Sequence, residues 1–410
     1  MIARIAAVLG AILAASMAGC APVDADRAPS LLGPPPAGAG RDGGAGYRPA
    51  DRVISLDIRP DHILHHDGRI YVSSFHDRQL LVLDDKTGRL LHRFDTFDHF
   101  TFTNDERDKD GKVTGQIVER RRCRPGDMVV AGEKLFVVQT FGSSLLVFHA
   151  PALHLIGRVE VGSSSGRLAA SPDGRTVYFA SNREKAFHVI DARTHQARRV
   201  GYPEGGRGIG ALAAAPDGKR LYLGIQRGAR EAKADPPDDA AGPVNPLKQT
   251  YSGPLLAVYD LATGRYVAIK SIGDTLKARG DDSSIPAAMA FGPDGRTLYI
   301  AMSQCMVGVH VYDTVDDTLR QPITLASVDE HFTWPACRDV AVLGDELLVV
   351  VGANHELAVL DRRTGRRRMT APVGRPGGES PGEIAVSARH VTVCNSTLRR
   401  LFVFDLSSSR

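Results

Sequence analysis

Three features of the chain predict an all-β fold, a seven-bladed β-propeller of four-stranded antiparallel sheets. A strand-and-turn phrase recurs seven times, Pro-Asp-Gly turns separate short apolar runs, and the last repeat lacks one strand that the start of the body can supply. The phrase is most complete between Arg167 and Val200. Leu168 to Ser171, Thr176 to Ala180, Phe187 to Asp191 and a segment near Arg198 read as four strands, the first two joined by Pro-Asp-Gly-Arg.

Aligned on the third strand, the copies end at Asp84, His149, Asp191, Asp260, Asp313, Asp361 and Asp405, so only the second lacks the acid. An Asp there caps the amides of the following turn, and a nearby Gly, as at Gly88, Gly264 and Gly365, supplies positive φ. These acids are turn chemistry rather than a site. The first-to-second-strand turns repeat the pattern at Ser171 to Arg175, Ala215 to Lys219 and Gly292 to Arg296, with shorter turns at Asp67-Gly68, Gly132-Glu133, Gly344-Asp345 and Ala388-Arg389. Pro presets the turn and Gly closes it. Leu221 to Ile225 and Leu347 to Val351 are apolar on both faces, as strands stacked between sheets must be. A period of roughly 40 residues with four strands per repeat gives a radial ring. The seventh copy stops after three strands at Leu406, and Val53 to Ile58 is an unpaired strand at the other end. Pairing the two closes the ring and removes its end edges.

By these Ser-Pro-Asp-Gly-Arg turns and Leu-x-Val-x-Asp-x-x-Thr-Gly strands, the chain resembles the YVTN-repeat family of seven-bladed β-propellers from about Arg52 to Leu406. The resemblance implies the fold. It leaves activity open, because such propellers include binding proteins, lactonases and haem-bearing enzymes.

The body is preceded by two segments of different character. Arg4, the apolar run Ile5 to Met17 and the small residues Ala18 and Gly19 form a targeting segment, and the run is too short for a permanent membrane span, which needs about 20 apolar residues. Ser16 to Cys20 resembles the bacterial lipobox, with Met17 where leucine is usual, which implies a signal peptide over residues 1–19 and lipidation of Cys20; the plainer reading is ordinary cleavage after Ala18. Ala21 after Cys20 fits outer-membrane rather than inner-membrane sorting, so the expected address is the periplasmic face of the envelope. Residues 20–50 carry three consecutive prolines, many glycines and no apolar period, the composition of a tether, so the propeller is assigned to residues 51–410. A net charge of +4 over 410 residues gives no general pull toward nucleic acid.

In a ring of this kind the blade-to-blade connections and the second-to-third-strand loops share one face, the upper face. Both long insertions fall there: Thr96 to Arg124 between blades one and two, and Gly228 to Gly253 inside blade four. In the first, Glu106, Asp108, Asp110 and Gly111 match part of a calcium loop, but Ile117 stands where its bidentate Glu belongs; a β-hairpin turning at Asp110-Gly111 is the better reading.

The residues entering the seven inner strands are His62, Asp127, Arg167, Ala211, Ala288, Asp339 and Glu383, with Arg338 beside Asp339. They converge on the upper mouth of the central channel, where they either bind a polar ligand or form an ion-pair network that satisfies itself between blades. The upper loops add His76 and His355 as ligand-binding candidates. No zinc-ligand spacing, covalent-haem motif, nucleophile elbow or phosphate loop is present, so no metal ligand is assigned, and the catalytic residues and cofactor are left unknown. After Cys20, Cys123, Cys305, Cys337 and Cys394 permit two disulfides, and Cys305 with Cys337 is the first pair to expect. Two basic runs, Arg120 to Arg124 above and Arg362 to Arg368 below, cannot form one groove, which speaks against nucleic acid.

The expected function is that of a membrane-anchored, monomeric periplasmic lipoprotein that binds a protein partner or a small polar ligand on its upper face. The alternatives are a lactonase-like hydrolase using His62, Asp127, Asp339 and Glu383, and a haem or copper redox protein.

Overall fold

Short apolar runs broken by Asp and Gly turns fold into seven four-stranded antiparallel sheets in the computed structural model, which describes residues 46–95, 97–107, 112–203, 206, 208–226, 254–272, 285–303, 308–325, 337–352, 354–374 and 381–406. The inner strands are His62–His66, Arg124–Ala131, Gly166–Ala170, Gly208–Ala214, Ile285–Phe291, Cys337–Leu343 and Pro381–Val386, and each faces the inner strands of both neighbouring blades, so the ring is closed. The expected turn chemistry recurs in blades one, three, four and six. Asp84, Asp191, Asp260 and Asp361 each accept from the amide and hydroxyl of the Thr three residues on. Gly88, Gly264 and Gly365 hold φ near +70°.

The core lies between blades. Leu347 to Val351 are fully buried, and the blade two side chains Phe136 and Val138 pack on Leu168 and Phe179 of blade three. Each such aromatic or aliphatic side chain contributes on the order of 1.5–3 kcal/mol on burial.

Closure follows the predicted pairing. Arg52–Ser55 runs antiparallel to Arg400–Asp405, with Val53 opposite Phe402, and completes blade seven as its outer strand. The chain also joins the body earlier than its composition implies. Gly46–Tyr47 adds a fifth, parallel strand to blade six beside Arg367–Pro372, and Ala50 packs on the cluster between blades six and seven. The fourth strand of a blade rises from the lower to the upper face, so Gly46 enters on the outer rim, and Arg48 reaches down to donate to the Asp405 carbonyl at 2.9 Å. The signal segment, Cys20 and the first part of the tether lie outside the described residues.

The first insertion is a β-hairpin, His99–Arg107 paired with Val113–Arg122. Glu106 sits in the ladder opposite Gly115, a conformation that a calcium loop would not give its first ligand. Asp108, Asp110 and Gly111 lie outside the described residues, as does the second insertion, Gly228 to Gly253, although Arg220–Gln226 and Leu255–Asp260 flank it as the second and third strands of blade four.

The seam between blades one and seven carries a pH-sensitive contact. His65 Nε2 lies 2.9 Å from Thr392 Oγ1 across the seam, and His65 is buried, with Nδ1 lacking a partner. Burial, with His390 and Arg52 nearby, pushes its pKa down to about 3. A histidine that titrates lower in the folded than in the unfolded chain supports folding above pH 6.5 and loses that support as pH falls toward 3. Acidification from pH 7 to 4 is expected to cost the wild type on the order of 3 kcal/mol at this residue. Urea unfolding at both pH values should show a shallower pH dependence in His65→Leu; identical slopes would remove His65 from the account.

Candidate functional site

The upper ends of the inner strands are irregular in a repeated way. In blades two, four, five, six and seven the inner strand slips register against the second strand close to its start. Asp127 and Glu383 lie within such bulges, and Asp339 follows one whose extra residue is Arg338. A bulge re-aims the side chain that a flat ladder would have fixed across the sheet.

These strand ends join His62, Glu383 and Arg167 in one hydrogen-bonded network and set Asp127 and Asp339 within its field. His62 Nδ1 is 2.7 Å from Glu383 Oε1, and the same oxygen accepts from Arg167 Nη1 at 3.2 Å. Arg167 Nε donates to the Gly210 carbonyl at 3.0 Å. Asp127 accepts from its own following amide, Met128 N, and from Leu168 N of blade three, both at 2.8 Å. Asp339 repeats the arrangement between blades six and seven, accepting from Val340 N at 2.8 Å and Ile384 N at 2.6 Å. Glu383 Oε2 in turn takes Ile63 N of blade one at 3.3 Å. Each carboxylate therefore rivets one inner strand to the next, which is the self-satisfying network that the ion-pair reading describes.

The network is nevertheless open to a ligand. The side chains of His62, Glu383 and Arg167 are 21%, 22% and 31% exposed, so water in the channel reaches them. Of the five guanidinium N–H groups of Arg167, two are used by Gly210 and Glu383, and no further bond is made by the others or by His62 Nε2 among the described residues. The unspent donor capacity of the mouth is thus that of Arg167, joined by His62 Nε2 when the ring is protonated.

Electrostatics sets the protonation of this network. Burial alone would lower His62, but the Glu383 carboxylate outweighs it and the pKa is raised. Burial likewise opposes ionisation of Glu383, yet His62 and Arg167 hold it below the usual carboxylate range. Asp127 is raised by burial that Arg167 and His62 only partly offset. Asp339 is raised to about 7 by burial and by the charge of Glu383. Donor atoms of His62, Asp127 and Glu383 lie within 4.8 Å of one another, a spacing that could also hold a cation.

Three contributors were not singled out by sequence. Asp61, one residue before His62, accepts from Phe75 N at 2.8 Å and Ser396 Oγ at 3.2 Å and ties blade one to blade seven. Cys394, buried, accepts from Glu383 N at 3.2 Å and backs the mouth. Gly210 is required sterically: a Cβ there would stand 1.9 Å from the Pro286 carbonyl oxygen. Only Asp61 left a legible signal, its place beside His62 in the repeat.

The remaining candidates are placed elsewhere. His76 is exposed on the upper loop of blade one with its ring edge-on to Phe75, Arg338 is exposed, and His355 occupies a turn of blade six with φ 53°. No hydrogen bond joins His76 or Arg338 to the His62 network among the described residues. Cys337 is buried at the start of the blade six inner strand, while Cys305, its expected partner, lies outside the described residues.

No family model and no curated protein matches the chain. Among solved structures the chain is similar to the hydrazine synthase of Kuenenia stuttgartiensis, at 16% identity and a TM-score of 0.59, over 87% of this chain and 98% of that one. At that identity the likeness shows the fold alone, and it places this chain among the β-propellers.

Proposed function

We propose that the chain is a lipid-anchored periplasmic lipoprotein of the YVTN-repeat type that binds a small, oxygen-rich polar ligand, such as a carboxylic acid or a polyol, at the upper mouth of its channel. The observation that carries this is Arg167, a water-reached donor held in place by Glu383 whose remaining N–H groups meet no acceptor among the described residues, with His62 Nε2 beside it as a second donor when the ring is protonated. Asp127, Asp339 and Glu383 surround the two donors, which favours a small polar ligand over a polyanion. The lipobox-like Ser16 to Cys20 and the Pro/Gly tether support the anchor and its outer-membrane address.

The test is a calorimetric titration of purified full-length protein with a panel of small carboxylic acids and sugars, with acyl labelling of Cys20 followed on the same preparations. At least one panel member is expected to bind, and Arg167→Ala to weaken it at least about tenfold, roughly 1.4 kcal/mol. Equal binding by the variant, or no binding by any member, would end the reading, and acyl label persisting in Cys20→Ser would end the proposed address.

A second reading rests on the 4.8 Å grouping of His62, Asp127 and Glu383: a lactonase-like hydrolase with a divalent cation at those donors. Arg167, 3.2 Å from Glu383, opposes a cation at that carboxylate, which is why this reading stands second. Metal analysis with a lactone panel separates the two.

A further inference from the structure

The two basic runs of the sequence have opposite fates in the fold. On the lower turn of blade six, Arg362 pairs with Asp294 and Asp345, Arg363 with Asp345, Arg367 with Glu356 at 2.7 Å, and Arg368 with Asp361. On the upper face Arg121 pairs with Glu119, but Arg120, Arg122 and Arg124 meet no carboxylate among the described residues, and neither do Arg78 and Arg183 on the adjoining loops. Burial and the neighbouring charges of Arg78 and Arg121 even depress the Arg124 guanidinium, the mark of positive charge left uncompensated.

These arginines surround a built surface. Arg124 lies over the Phe75 ring at 4.5 Å and Arg183 over Phe141 at 5.6 Å, the two rings are 6.0 Å apart, and Phe100 at the root of the hairpin stacks on Phe141 at 5.1 Å. An aromatic face holds a guanidinium in place while leaving its N–H edge free for an anion. The hairpin rises from a fixed root. Phe97 is buried edge-on to Phe94 at 5.2 Å, Cys123 N donates to the Asp98 carbonyl at 2.6 Å, and Asp98 and Gln139 hold each other. Above that root the ribbon has two strands only, and Val113, Ile117 and Val118 are 46%, 45% and 64% exposed. A two-stranded ribbon is marginal in water, and its outer edges offer main-chain N–H and C=O groups that no third strand uses.

We propose that the hairpin and the Arg-Phe platform at its root together dock an extended, acidic segment of a partner protein. The segment adds as a strand to the ribbon, covers its exposed valines and isoleucine, and lays its carboxylates on the arginines. A membrane is disfavoured as the occupant. The ribbon's exposed apolar residues on Val113–Arg122 are aliphatic, without the Trp and Tyr of an interfacial anchor, and the chain enters the body on the outer rim of blade six, away from the upper loops. This deepens the reading of the upper face and fails separately from it: Arg167→Ala scores the mouth, and the rim arginines score the arm.

The experiment is fluorescence anisotropy with a labelled alternating Glu/Thr peptide and its Lys/Thr counterpart, using the full chain carrying Cys20→Ser so that no acyl chain contributes. The Glu/Thr peptide is expected to bind, more weakly as salt is added, and the Lys/Thr peptide not to bind. Arg124→Gln with Arg183→Gln should weaken binding at least about tenfold, and replacing residues 100–121 by a short Gly/Ser turn should abolish it. Equal binding by wild type and the arginine variant, equal binding of the two peptides, or tighter capture of anionic vesicles or an oligonucleotide than of the Glu/Thr peptide would each overturn the proposal.

Discussion

Removal of residues 46–55 is expected to lower the melting temperature by about 5 °C and to turn a monodisperse protein into a self-associating one. Among the described residues Arg52–Ser55 alone covers the outer edge of Arg400–Asp405, and its Ile54 packs on the cluster between blades seven and one. Without the segment that edge presents unpaired amides and carbonyls, a template for pairing with a second copy. Losing a four-residue ladder and one buried aliphatic side chain, less the entropy returned to the freed chain, costs on the order of 4 kcal/mol. Unfolding entropy of about 2.1 cal/mol/K per residue converts that cost into the stated shift for a body of this size. Calorimetry and light scattering read the two effects. Val53→Thr, on the exposed side of the same strand, should do neither, and an unchanged melting temperature in the deletion would mean that the ring does not depend on this closure.

Glu383→Ala is expected to destabilise the fold by roughly 2 kcal/mol and to remove ligand binding at the mouth. The substitution takes the acceptor from His62, Arg167 and Ile63 N at once and leaves two cations side by side. Breaking a fully buried pair costs about 3–5 kcal/mol, and the channel water that reaches these side chains reduces the figure. The effect has a pH signature. Glu383 titrates below its unfolded value of 4.5, so its contribution is complete above pH 4.5 and fades as pH falls through the lower folded value. His62 titrates above 6.5, so its contribution is complete below pH 6.5 and fades as pH rises through the higher folded value. The stability gap between wild type and Glu383→Ala should therefore be widest between pH 4.5 and 6.5, measured by urea unfolding at a series of pH values. Glu383→Gln, which keeps an acceptor for Ile63 N, should show a smaller and flatter gap. A gap for Glu383→Ala independent of pH would show that the residue acts by packing rather than by charge.

Both predictions rest on features that differed in how far sequence could reach them. The strand phrase ending in Asp84, Asp191, Asp260, Asp313 or Asp361 is local chemistry: the acid caps the turn a few residues later, and the observed strands end where the acids stand. The missing strand of blade seven was legible for the same reason, since a ring with three strands in its last sheet requires a fourth from elsewhere. Gly46–Tyr47 was not legible, because two residues in a Gly-rich stretch carry no alternation and are recruited only by the free edge of blade six. At the mouth, counting from each inner-strand start located His62, Asp127, Arg167, Asp339 and Glu383. Which of them touch, and which donors stay unspent, depended on bulges and on the Gly210 carbonyl.

The amino-acid sequence by itself determined the number of blades, the place of the turns and the closing strand, because each follows from contacts between residues close in the chain or from the repeat that orders them. Tertiary structure alone decided that Glu383 serves His62 and Arg167 together, that Arg362, Arg363, Arg367 and Arg368 find carboxylates below while Arg120, Arg122 and Arg124 meet none above among the described residues, and that Phe75, Phe100 and Phe141 meet. Those groups are separated by up to hundreds of residues along the chain. Charge pairing and ring stacking act over a few ångströms, so they are settled only when blades distant in sequence become neighbours in space.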